Sequence, residues 1–183
     1  MTLSCAIHAH GHDQKSLHES VEAILGTTTL CSMATAKGSL PYINTAFFAW
    51  SSDLHIYFLS KPTRQHSVNL DNNPTISLTV FDGSQSFGSL LKGLQIFGKC
   101  VLAMGTQANQ AFDVYTKRFP KLLEQIPSFE DYERSVIQSR LYAVTAESIK
   151  IFDEPRFGKD VYIEASINRT SKVLEGLKSE TPF

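Results

Sequence analysis

Pro41-Tyr-Ile-Asn-Thr-Ala-Phe-Phe-Ala-Trp50, then Ser51-Ser-Asp53, then Leu54-His-Ile-Tyr-Phe-Leu59: two apolar runs rich in aromatic and branched residues flank a short polar turn. Such a pattern reads as a β-hairpin. Upstream, Thr27 to Ala36 has the same character and reaches Pro41 through the turn signal Lys37-Gly38-Ser39. Pro41 stands at a strand start, where its missing N–H does least harm. Three strands joined by short turns predict an antiparallel meander.

Further strands follow at Thr75 to Phe81, Leu94 to Met104 and Arg140 to Phe152. Gly98 inside the fifth suggests a bulge or a close backbone approach. Helices are expected over Ser16–Leu25, Thr63–Leu70, Thr106–Phe119 and Phe129–Ile137. Ser16 with Glu19 fits a capping box, and Leu17, Val21, Ile24 and Leu25 form one apolar face. Thr63 after Pro62 suits an N-cap. The fold class is mainly β (α+β): a six-stranded antiparallel split barrel with short flanking helices, which buries the strands without long open edges. The expected organisation is a flexible His-rich start (1–15), a barrel domain (16–167) and a polar C-terminal tail (168–183).

The 183 residues, 42% hydrophobic and 19% charged, suit one soluble globular domain. A net charge of -1 gives no global field for nucleic acid or an anionic membrane. Cys5, Cys31 and Cys100 are far apart and odd in number, so no disulfide framework or zinc knuckle is indicated; Cys31 and Cys100 read as buried thiols. His8, His10, His12 and His18 lack carboxylate or cysteine partners at ligand spacing, so no metal site is expected. The start shows no basic segment leading into an apolar core, and no run reaches a membrane span, so the expected compartment is the cytoplasm.

The third strand runs directly into Ser60-Lys-Pro-Thr-Arg64-Gln-His66. Hydroxyl, cationic and imidazole groups at a strand-to-helix corner suit a phosphate, and Arg64 can hold two of its oxygens at once. The same residues also suit a solvated turn with an ordinary helix cap, and composition favours neither reading. No G-x-G-x-x-G, Walker sequence, H-E-x-x-H or G-x-S-x-G appears, so the enzymatic option left is a cofactor that carries the chemistry.

The order of short motifs resembles the pyridoxamine 5′-phosphate oxidase-like family of FMN-binding split barrels. The likeness rests on Cys31-Ser-Met-Ala-Thr35 with its glycine turn and on Pro41-Tyr-Ile-Asn-Thr45. It continues in Tyr57-Phe-Leu-Ser60, Thr63-Arg64-Gln65-His66, the Asn73-Pro74 break, Leu94-Gln-Ile-Phe-Gly98 and Tyr115-Thr-Lys-Arg-Phe-Pro120. The resemblance implies a homodimer with FMN at the subunit interface. It implies phosphate contacts from Ser60, Lys61, Thr63 and Arg64, to which His66, two residues past Arg64, could add a donor, and ring contacts from Met33, Ala34, Asn44, Thr45 and Gln95. Relatives that handle deazaflavin or haem make those the alternative cofactors, and a non-catalytic carrier or sensor the alternative function. The first strand lacks arginine and the segment Glu154 to Tyr162 lacks tryptophan. These departures point away from vitamin salvage and toward the smaller flavin-binding branch of the family, and the expected function is an FMN-dependent oxidoreductase of unknown small-molecule substrate. His66 and Tyr57 are candidates for assisting proton transfer; no catalytic residue is assigned.

Overall fold

The computed structural model describes residues 2–134 and 137–169. In chain order the elements are β1 (Ala6–His8), α1 (Gln14–Thr27), β2 (Leu30–Lys37), β3 (Leu40–Trp50), β4 (His55–Ser60), α2 (Gln65–Asn72), β5 (Thr75–Phe81) and β6 (Lys92–Leu102). Then come α3 (Gly105–Arg118), a 3-10 turn (Pro120–Glu124), α4 (Phe129–Arg134), β7 (Arg140–Asp153), α5 (Glu154–Phe157) and β8 (Tyr162–Asn168). The sheet order is β1-β8-β7-β4-β3-β2-β5-β6, and β6 pairs again with β7. Six antiparallel strands therefore close into a barrel, and β8 and β1 extend it along β7.

The strands form where alternation lets one face close on the core. Cys31, Met33 and Thr35 of β2 are buried, as are Ile76, Leu78 and Val80 of β5 and Ile56 and Phe58 of β4. They fill the barrel together with Leu17, Val21, Ile24 and Leu25 of α1. A second core lies under α3 and α4, where Phe112, Tyr115 and Tyr132 pack on Ala49, Tyr57, Leu141 and Ala143. Gly38, at φ 58°, takes the first position of the two-residue turn between β2 and β3, a conformation that other residues resist.

The expected bulge is present: the β6–β7 register shifts between Phe97 and Gly98. A Cβ at position 98 would run into the Thr145 carbonyl.

Some expectations are corrected. Asp13, not Ser16, caps α1: its carboxylate accepts the Ser16 N–H at 2.9 Å. An aspartate one turn ahead of the apolar face outcompetes a serine already inside the helix. Thr63 does not cap α2. The Lys61 carbonyl first accepts the Arg64 N–H at 3.0 Å, and this turn delays the helix to Gln65, with Arg64 in the N-cap position and no side chain capping it. The histidine-rich start is not loose throughout: Ala6–His8 pairs with β8, and Leu3, Cys5 and Ile7 are buried. Asn168, the expected start of the polar tail, still pairs with Ala6. From residue 170 onward that tail lies outside the described residues.

Candidate cofactor site

At the end of β4, Ser60 is nearly buried and His66 half-buried. Ser60 Oγ lies 2.6 Å from His66 Nε2, and the Ser67 hydroxyl donates to Ser60 Oγ at 3.2 Å. Burial, and secondarily the positive charge of Arg64, lowers the His66 pKa below its ordinary value. The imidazole is thereby held in its neutral form, with the hydroxyl locked beside it. Thr63 and Arg64 are exposed and Lys61 half-exposed. Among the described residues, neither Lys61 nor Arg64 has a carboxylate partner, and no side chain occupies the cap of α2. Two unmatched cations beside an uncapped helix start form a positive corner that favours an anion.

The corner is fixed to the barrel by α2. The Asn69 side-chain amide donates to Thr35 Oγ1 at 3.0 Å inside the core, and Gln65 donates to Asn69 Oδ1 at 2.8 Å. The helix therefore packs over the strand pair β2–β3 that carries the expected ring contacts.

Those contacts divide between two faces. Ala34 pairs with Ile43 and Ser32 with Thr45 on the outer face, where Ser32 Oγ and Thr45 Oγ1 are 3.2 Å apart. Ser32 pairs onward with Thr79, and Thr79 with Gln95. Thr45, Ser32, Thr79 and Gln95 thus form one polar row across four strands, spanning roughly 14 Å. Met33 and Asn44 are cross-strand partners on the opposite, inner side. Met33 is fully buried, which leaves its main chain alone to meet an outer ligand. Asn44 Oδ1 is buried and accepts no hydrogen bond. Ala34, Thr45 and Gln95 thus share the accessible face, and Ser60, Lys61, Thr63, Arg64 and His66 gather at the corner.

Around the polar row the outer face is apolar and open: Ile43 is 77% exposed and Phe47 55%, with Leu30, Phe97 and Val101 also uncovered. Exposed apolar patches of this kind are common at interaction surfaces. Tyr57, by contrast, lies under α3 at 3% exposure, and burial raises its pKa, so it stands away from this face. The cysteines are also withdrawn: all three are buried, and burial pushes the Cys31 and Cys100 thiols up to about 12. Among the described residues no group of three His, Cys, Asp or Glu side chains could hold a metal. His18 Nε2 instead lies 2.9 Å from the Cys5 carbonyl. No described helix is long and apolar enough to cross a membrane.

Sequence reasoning missed an arginine and a hairpin cluster. Arg118 Nη2 donates to the carbonyls of Leu25 and Thr28 at 3.1 and 2.5 Å, and its guanidinium lies over Phe48 and Trp50 at 4.5 and 4.2 Å. It closes the C-terminal end of α1, and burial lowers its pKa to about 10. At the β3–β4 turn Asp53 bonds His55 Nδ1 at 2.8 Å and the Ser51 hydroxyl at 2.5 Å, beside a cleft bordered by Gln107 and Gln110. Ser51 faces the carboxylate rather than the imidazole, so this is not a nucleophile–base pair.

A closed antiparallel split barrel with a positive corner at the end of β4 and an open sheet face defines the class of fold. Residues 17–153 match the family model of pyridoxamine 5′-phosphate oxidase, and the chain belongs to that family. No curated protein sequence matches it. Among solved structures, a protein of unknown function, Atu2129 from Agrobacterium tumefaciens, is similar with a TM-score of 0.56 at 22% identity, over 73% of this chain and 56% of that one. A heme-binding protein from Mycobacterium smegmatis aligns with a TM-score of 0.63 at 11% identity, over 85% of this chain and 58% of its own. An FAD-binding protein from Mesorhizobium loti aligns with a TM-score of 0.52 at 16% identity, over 89% of this chain and 99% of its own. The chain thus spans little more than half of the first two, and at these identities the likeness is one of fold. The fold has both flavin-binding and haem-binding members.

Proposed function

We propose that the protein binds FMN and acts as an oxidoreductase of the pyridoxamine 5′-phosphate oxidase-like group on a small molecule. One observation carries this reading: the unmatched cations Lys61 and Arg64 stand at the uncapped start of α2, beside the strand pair with an accessible polar row. The donor set fits the cofactor. Arg64, Lys61 and Thr63 would hold its phosphate, with His66 and Ser60 behind them, and Ala34, Thr45 and Gln95 would meet its ring. Bound FMN supplies the electron transfer, so no side chain need be a strong acid or base. Neutral His66 is the residue placed to hold a proton near the phosphate.

The reading includes a homodimer. The exposed apolar face around Ile43, Phe47 and Phe97 supports it, because a second copy would cover that face and enclose the ring. The haem-carrier alternative would use a histidine as axial ligand through a ring nitrogen other than the one that His18 turns to the Cys5 carbonyl or His66 to Ser60.

Absorbance of the purified protein and calorimetric titration with FMN test the proposal. A flavin spectrum, or saturable binding of added FMN, is expected. Arg64→Ala should weaken FMN by on the order of 10- to 100-fold, the worth of one charge-assisted hydrogen bond. A protein that ignores FMN, or a variant with unchanged affinity, overturns it; a Soret band would favour haem.

A further inference from the structure

Four residues align in register across four strands: Phe81 of β5 pairs with Gly93 of β6, Gly93 with Phe152 of β7, and Phe152 with Tyr162 of β8. All four stand on the outer face. The row is aromatic except at Gly93. Neighbouring strands lie about 4.8 Å apart, so the main chains of Phe81 and Phe152 are roughly 9.6 Å apart across the glycine. A flat ring with a contact of about 3.5 Å on each side needs roughly 7 Å. A cavity of about 250 Å³ lies there, lined by Phe81, Gly93, Phe152 and Tyr162 among others.

The glycine is not required by its own backbone. It does not have a positive φ, and a Cβ would meet only Val80 O at 3.6 Å and Phe81 Cβ at 3.7 Å, ordinary contacts. Gly98 on the same strand is different, since there a Cβ meets the Thr145 main chain. A glycine in a strand interior weakens the strand and commonly marks a close approach by something else. Here the missing side chain leaves a slot one residue wide.

The walls are held in place. Tyr162 stacks on the β8 side of Phe152 at 4.3 Å and 12°, which leaves the opposite side of Phe152 toward Gly93. Gln85 fixes the rim: its side chain donates to the Lys92 carbonyl at 2.9 Å and accepts the Lys92 N–H at 2.6 Å. The next residues along the strands put a polar edge at the mouth, the Gln95–Lys150 pair. Lys150 is paired with Glu164 at 2.8 Å, so the mouth is charge-balanced, and the exposed Gln95 amide offers both a donor and an acceptor.

We infer that this slot binds a single planar aromatic or heteroaromatic ring bearing an uncharged amide edge, inserted between Phe81 and Phe152 over Gly93 with its amide at Gln95. The volume falls short of the roughly 300 Å³ at which drug-sized pockets begin, which suits one ring and not a fused tricycle. The slot lies at the end of the outer face proposed for the flavin, so it defines the class of substrate that would meet the cofactor there. That last step rests on the flavin reading; ring binding does not.

Saturation-transfer NMR with nicotinamide and benzamide as probes, on the full chain, tests the inference. Wild-type protein should transfer saturation to both rings, with aliphatic acetamide silent. Gly93→Val fills the slot and should weaken ring binding at least tenfold while FMN affinity stays within twofold. Should that variant fold poorly, Phe81→Ala, at a half-exposed position, should weaken it about fivefold. Absent transfer to wild-type, or equal binding by wild-type and a folded slot variant, overturns the inference. FMN titration of the same samples reads the flavin proposal separately.

Discussion

Ser60 Oγ and His66 Nε2 lie 2.6 Å apart across the junction of β4 and α2, and burial holds that imidazole below its ordinary pKa of 6.5. The unfolded chain therefore binds this proton more tightly than the folded one. The stability contributed by neutral His66 is complete above pH 6.5 and is lost as pH falls below it toward the folded value. His66→Asn removes the titration. The stability of wild-type relative to the variant should decline between pH 7.5 and 5.5 in urea melts; a difference independent of pH would refute the assignment.

Gly98 meets the Thr145 main chain at the bulge where the β6–β7 register shifts. A methyl group has nowhere to go unless the two strands separate. Gly98→Ala should cost about 1–3 kcal/mol, in the range of core overpacking. Gly93→Ala, on the same strand with ordinary clearance, should cost less than 1 kcal/mol. Equal urea midpoints for the two variants would contradict the difference in backbone approach.

Arg118 joins three elements: it bonds the last carbonyls of α1 from the end of α3 and lies over two aromatic rings of β3. Charge-assisted bonds and cation–π contacts in this setting are each worth about 1–3 kcal/mol, so Arg118→Ala should cost about 2–4 kcal/mol. Lysine keeps the charge and loses the planar fork, and should recover less than half. Trp50 is the only tryptophan, so its emission reports the loss of the overlying guanidinium directly. Unaltered emission in Arg118→Ala would show that the contact is not formed in solution.

The Asp53 carboxyl is held well below the usual carboxylate range, chiefly by its bond to His55, with Ser51 adding to it and partial burial opposing. Its contribution to stability is present above the ordinary carboxylate pKa of 3.8 and lost as pH falls further. Asp53→Asn should cost about 1 kcal/mol at pH 7. That gap should narrow as both proteins are taken from pH 4 to pH 2. A gap that does not narrow over that range would mean the effect is packing and not charge.

The barrel was legible because its strands carry their own punctuation. Gly38, Pro41, Pro74 and Gly98 mark turns and a bulge, and β2 to β7 begin and end within a few residues of the sequence reading. The outer two strands were not. Leu3, Cys5 and Ile7 alternate toward the core, but the run is short and the histidines that follow at 8, 10 and 12 mask it. Ile163, Ala165 and Ile167 alternate clearly, yet only their pairing with the far end of β7 shows that an edge there needs covering. The anion corner was visible as composition. The faces of β2 and β3 were not, because Ser32-Met33-Ala34-Thr35 lacks a sharp polar–apolar contrast and one step of register inverts it. The aromatic row at Gly93 is beyond any local reading, since its members come from four strands spread over half the chain.

Ile43 is 77% exposed on the outer face, opposite Ala34, with Phe47 and Phe97 nearby and also left largely open by the described residues. If a second copy covers this face, a charge at its centre is buried in the dimer and solvated in the monomer. The penalty for an unpaired buried charge is several kcal/mol, while the monomer loses almost no burial. Ile43→Lys should therefore shift the protein from dimer to monomer in light scattering at micromolar concentration, with its urea midpoint at low concentration unchanged. FMN affinity should fall with it, because half of an interfacial site would leave with the partner. Ile43→Val should remain dimeric. A lysine variant that stays dimeric and binds FMN as wild-type does would place the subunit contact on another face.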